Sequence, residues 1–166
     1  MSKEIIWHRD HTLCLNVKNR GITGDRIEVY GHDYGKFPPD RYTLNIDVEN
    51  VQNEFYFFNM HHVHGVFKNT TFNEHTLIDR SVFENVTFEN CHFDGVSIRC
   101  CKFINYKFIN CTGFIKYARM ITINKNCYFE NSNMDIHQID DYAYVHGKRF
   151  GKQSYSDRLS VTTLYH

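Results

Sequence analysis

Proline is almost missing from this chain. Its two copies sit together at Pro38-Pro39 and mark the joint between an N-terminal section and the repeat array. Net charge is missing as well: 19 Lys and Arg balance 19 Asp and Glu across 166 residues, so bulk charge points to neither a polyanion nor a membrane surface. No apolar run approaches the length that spans a bilayer. The opening MSKEIIWHRDH has no apolar stretch of the kind a secretory leader carries. Six cysteines are present without a C-x-x-C pair, which removes the strong zinc and redox signals.

What is present is a five-residue repeat. Ser81 to Asn110 reads SVFEN, VTFEN, CHFDG, VSIRC, CKFIN, YKFIN. A large apolar residue stands third in each block: Phe83, Phe88, Phe93, Ile98, Phe103, Phe108. The residue two before it is usually small or apolar, with Tyr106 the exception. Helices repeat their buried face at 3.6 residues and strands at 2, so a period of five means a repeat architecture. If each block makes one flat side, four blocks close a square turn of about twenty residues, and turns stack at roughly 4.8 Å. Phe83 then lies over Phe103, Phe88 over Phe108, and Cys91 over Cys111.

The pattern extends with slips. Phe67 and Phe72 fit as earlier centres, followed by Leu77, and the six-residue step from Leu77 to Phe83 predicts one bulged residue there. A second slip is expected after Phe108, where Gly113 holds the centre and Phe114 comes next; Phe129, Met134 and Ile139 restore the frame. Three sections result: 1–40, an N-terminal cap of short strands; 41–139, the repeat array of four to five coils; and 140–166, a polar cap or tail with a short helix or strand near Asp157 to Tyr165. The fold class expected is all-β, a single domain.

These blocks resemble the pentapeptide-repeat family, which implies a right-handed quadrilateral β-helix. Within that fold two functional kinds compete. Bacterial members that mimic duplex DNA protect type II topoisomerases from quinolones; that mimicry uses a strongly acidic surface, which this neutral chain interrupts with Lys102, Lys107, Lys116 and Arg119. The stretch from Asn45 to Asn50, followed by FKNTTF, FENVTF and FINCTG, also resembles the luminal loop of the synaptic vesicle glycoprotein 2 family over roughly residues 43–133. That resemblance implies a receptor-like protein-binding surface. The compartment is cytoplasmic if the chain stands alone and luminal or extracellular if it is an excised loop. End-to-end homodimers are compatible with the fold.

Cys91, Cys101, Cys111 and Cys127 fall at the small inward position and read as buried thiols, although stacked Cys91 and Cys111 lie within disulfide range. His8 and His11 with Asp10, and His62 with His64, are candidate zinc or nickel ligands, weighed against exposed surface histidine, which is the reading adopted. No nucleophile, base and oxyanion donor come together in the repeat, so we expect no catalytic, cofactor or metal site. Asn69, Asn85 and Asn110 form N-x-S/T sequons, a by-product of a repeat that favours Asn fifth and Thr second. The outward residues guide function best. Glu84, Glu89 and Asp94 give one coil acidic walls; one coil on, Ile104 and Ile109 replace the glutamates, with Ile115 next. Ile104, Ile109, Ile115 and Tyr117, with Lys102 and Lys107, are the predicted protein-binding surface of a non-enzymatic scaffold. No direct nucleic-acid binding and no cofactor are expected.

Overall fold

The computed structural model describes residues 4–7, 12–20, 26–30, 43–60, 63–124, 126–145, 147–151 and 159–160. They contain no helix and form a β-solenoid of about five turns with strands stacked in parallel. Among them the strands run β1 (Glu4–Trp7), β2 (Thr12–Arg20), β3 (Ile27–Tyr30), β4 (Thr43–Asn53), β5 (Phe55–Phe58) and β6 (Val63–Lys68). The middle turns hold β7 (Thr71–Phe72), β8 (Leu77–Asp79), β9 (Val82–Glu89), β10 (His92–Arg99), β11 (Lys102–Ile104) and β12 (Lys107–Ile109). The last are β13 (Thr112–Ile123), β14 (Tyr128–Glu130), β15 (Asn133–Ile136), β16 (Ile139–Val145), β17 (Lys148–Phe150) and β18 (Leu159–Ser160).

The fifth residue of each block makes the corner. Arg80, Asn85, Asn90, Gly95, Cys100, Asn105 and Asn110 all have positive φ, between 51° and 75°. Asparagine tolerates this left-handed region better than other side chains, which is why it dominates the position. Four corners per twenty residues give four walls. On the first wall, inward Leu44, Val63, Phe83, Phe103, Ile123 and Val145 stack in register. The second stacks Val17, Val48, Phe67, Phe88, Phe108 and Phe129. The third stacks Asn53, Phe72, Phe93, Gly113 and Met134, and the fourth Val29, Phe57, Ile78, Ile98, Ala118 and Ile139. On the second wall the rings of Phe67, Phe88, Phe108 and Phe129 lie nearly parallel, with successive centroids 5.0, 5.1 and 4.7 Å apart. That is close to the inter-strand spacing itself.

One further ladder runs along the corner between the second and third walls. Asn19, Asn50, Asn69, Asn90, Asn110 and Asn131 all have positive φ there. Asn50 donates to Asn19, Asn69 to Asn50, Asn90 to Asn69 and Asn131 to Asn110, at 2.7–3.2 Å. The small inward position has its own logic. Ser81 Oγ donates to the Asp79 carbonyl, Thr70 Oγ1 to Lys68, and Ser132 Oγ to Glu130, each two residues back. The buried thiols of Cys91, Cys101 and Cys111 make the same bond to Glu89, Arg99 and Ile109. Cysteine is a small core residue here, and Cys91, Cys101 and Cys111 are free thiols. Burial pushes the Cys91 thiol well above its ordinary value and that of Cys101 up to about 12.

Both slips fall elsewhere than the spacing predicts. Ile78, not Leu77, is the inward centre, so the step to Phe83 is regular; Leu77 faces outward, paired with Ser97. The extra residue lies in the turn at Glu74–His75, closed by the Thr76 N–H donating to the Asn73 carbonyl at 2.9 Å. Gly113 also stays in frame, paired with Phe93 and Met134. A Cβ on it would stand 2.0 Å from the Phe93 carbonyl oxygen, at a φ of +112°, so only glycine fits this close approach. The second slip comes after Ile123, before Cys127.

The stack crosses the boundaries expected at 40 and 139. β2 pairs parallel with β4 and β3 with β5, so the described N-terminal strands cover the first coil as further rungs of the same solenoid. β16 continues from β13 in the same sense. Direction reverses only afterwards, where β17 returns antiparallel to β16 and β18 lies antiparallel to β15.

Candidate functional site

The six predicted surface residues do not form one patch. Lys102 and Ile104 stand on the first wall, Lys107 and Ile109 on the second, on either side of the Asn105 corner. Both lysines are exposed and both isoleucines half-buried. Register confirms that Ile104 and Ile109 come one rung after Glu84 and Glu89. Tyr117 lies on the fourth wall, where its hydroxyl donates to Asp140 Oδ2 at 3.0 Å. Burial and this bond raise its pKa.

Ile115 is a correction. It is 7% exposed and belongs to the core, pairing with Val96 and Ile136. A register shift between Asp94 and Ser97 turns it inward. Phe114 takes the outward place instead, stacking on His137 at 4.2 Å and covering Gly95. Counting fives from Phe108 could not show this, because the shift changes facing without adding a residue to the count of centres.

The structure adds two aromatics to the four residues that do gather. Tyr128 pairs with Lys107 one rung on and is 53% exposed. Tyr144 stands two rungs beyond Lys102, through Thr122, and is 37% exposed. Lys102, Ile104 and Tyr144 thus face one wall, and Lys107, Ile109 and Tyr128 its neighbour. Tyr128 was readable in the sequence as the second residue of a block, a place that faces outward. Tyr144 was hidden by the late slips.

Ile109 has a structural part too. Its column reads Lys18, Glu49, Lys68, Glu89, Ile109, Glu130. Charges alternate until Ile109, which keeps Glu89 and Glu130 from standing on adjacent rungs.

Other features offer little chemistry. A hollow of about 350 Å³ on the fourth wall is lined by residues including Arg26, Tyr56, Glu74 and His75. Arg26 there is held by Glu54 at 3.1 Å and Glu28 at 3.6 Å, and His75 pairs with Glu74 at 3.5 Å. An apolar cavity of about 30 Å³ inside the solenoid touches Tyr106, Phe93, Phe108 and Met134. Among the described residues no group of three or more His, Cys, Asp and Glu could hold a metal ion. His8, Asp10, His11 and His62 lie outside the described residues; His64 is half-buried on β6. The sequon residues Asn69, Asn85 and Asn110 are exposed at corners, engaged with neighbouring rungs: Asn105 donates to Asn85 as Asn131 does to Asn110. No described helix is long and apolar enough to cross a membrane. No family model, no curated protein and no solved structure matches this chain.

Proposed function

We propose that the chain is a non-enzymatic scaffold that binds a protein across its first and second walls. The observation that carries this reading is the pair of exposed tyrosines, Tyr128 and Tyr144, aligned with Lys107 and Lys102 beside half-buried Ile104 and Ile109. Aromatic and aliphatic anchors within a charged rim are the composition of protein interfaces. Rigid stacked walls hold them in place before any partner arrives, which lowers the ordering cost of association. The resemblance of the blocks to the luminal loop of the synaptic vesicle glycoprotein 2 family supports the same reading, a receptor-like surface.

The test is affinity capture of partners by the intact chain, set against the Ile104→Lys with Ile109→Lys variant, which places each new charge beside a glutamate, and against Tyr128→Ala with Tyr144→Ala. Both variants should keep the wild-type melting profile and lose the captured protein. Undiminished capture by both would place the interface elsewhere.

A further inference from the structure

The corner between the fourth and first walls breaks the asparagine rule. Between Asn59 and Asp141 its column holds Arg80, Cys100 and Met120, with φ of 51°, 53° and 52°. These side chains do not enter the left-handed region as readily as asparagine. Beside the corner runs the outward column Asp79, Arg99, Arg119, Asp140. Two guanidinium groups therefore occupy neighbouring rungs, an arrangement that opposes folding. The second wall shows the alternative, lysine and glutamate in turn.

A hollow of about 110 Å³ opens here, lined by Asp79, Arg80, Arg99, Cys100 and Arg119. The acidic groups nearby are already engaged. Arg99 Nη2 donates to Asp79 Oδ2 at 2.9 Å, Arg119 Nε to Asp141 Oδ2 at 2.8 Å, and Asp140 accepts from Tyr117. Donors remain in surplus. Arg99 Nε is buried and has no hydrogen-bond partner among the described residues. Arg80 forms no ion pair among the described residues and lies over the Phe58 ring at 5.6 Å. Three guanidinium groups line this one hollow, and such planar forks pair readily with the oxygens of a tetrahedral anion. We propose that this corner binds a phosphate group, free or esterified, through Arg80, Arg99 and Arg119, with the exposed Cys100 thiol at its rim. The site uses none of the residues of the first- and second-wall surface and does not depend on it.

Inorganic phosphate is the first probe, titrated into the full chain at constant low ionic strength and monitored by phosphorus NMR. A second readout is alkylation of Cys100 by iodoacetamide, located by peptide mass. Saturable broadening in the millimolar range or tighter is expected, with Cys100 alkylation slowed at least threefold by phosphate and unchanged by chloride. Arg99→Gln strips buried Asp79 of its partner and endangers the fold, so Arg80→Gln is the decisive variant. It should melt as wild type without phosphate and bind phosphate at least tenfold more weakly. O-phosphoserine binding tighter than phosphate identifies an ester as the ligand; weaker binding identifies the free ion. Chloride protecting Cys100 as well as phosphate does, or Arg80→Gln binding phosphate like wild type, overturns the site.

Discussion

Tyr106 stands at an inward place that Val86 and Cys127 fill on the adjoining turns, and it is fully buried. The ring packs edge-on against Phe103 at 5.0 Å and tilted against Phe88 at 4.8 Å. Its hydroxyl has no hydrogen-bond partner among the described residues, and burial raises its pKa far above the ordinary value. A buried polar group left unpaired costs about 1–3 kcal/mol. Tyr106→Phe should therefore stabilise the chain by about 1–2 kcal/mol in urea unfolding. Unchanged or lower stability would show the hydroxyl satisfied, for instance by a water in the adjoining cavity of about 30 Å³.

At the scale of a wall, the stacked phenylalanines carry the fold. Phe88 lies between Phe67 and Phe108 with ring planes 3° and 10° from theirs, and Phe103 lies 5.6 Å from Phe83. Phe88→Ala or Phe103→Ala should cost about 3–5 kcal/mol, through lost burial and an unfilled cavity. Melting curves that match wild type would refute the register. This register was legible wherever blocks run unbroken, because a strict period of five fixes which side chains share a column. It was not legible at the turns. Nothing in Thr76-Leu77-Ile78 says which apolar residue faces in; the Thr76 bond to Asn73 decides it by closing the turn one residue earlier. Ile115 misled for the same reason, since its facing is set by a local shift. The gathering of Arg80, Arg99 and Arg119 needed the exact pairing of β8, β10 and β13, although the missing corner asparagines were visible in the blocks.

For the molecule as a whole, buried weak acids link stability to alkaline pH. Cys101 has its pKa raised from 9.0 to about 12, chiefly by burial. The unfolded chain thus loses this proton first, and stability falls between about pH 9 and pH 12, by about 1.4 kcal/mol per pH unit for one such thiol. Below that window both states hold the proton and the dependence vanishes. Cys101→Ser keeps a small donor, as Ser81 does one rung earlier in the same column. Urea titrations at pH 8 and pH 10.5 should show a smaller loss in this variant than in wild type; an equal loss would remove Cys101 from the account. The parallel register has a mechanical consequence. Each coil is bonded only to the coils directly above and below it, about twenty residues away along the chain. Under tension applied between the two ends of the stack, the chain should peel off coil by coil, each release lengthening it by roughly 60–70 Å. The solenoid would act as a spring with discrete steps, stiff until an end coil yields and then lengthening by nearly the same increment each time.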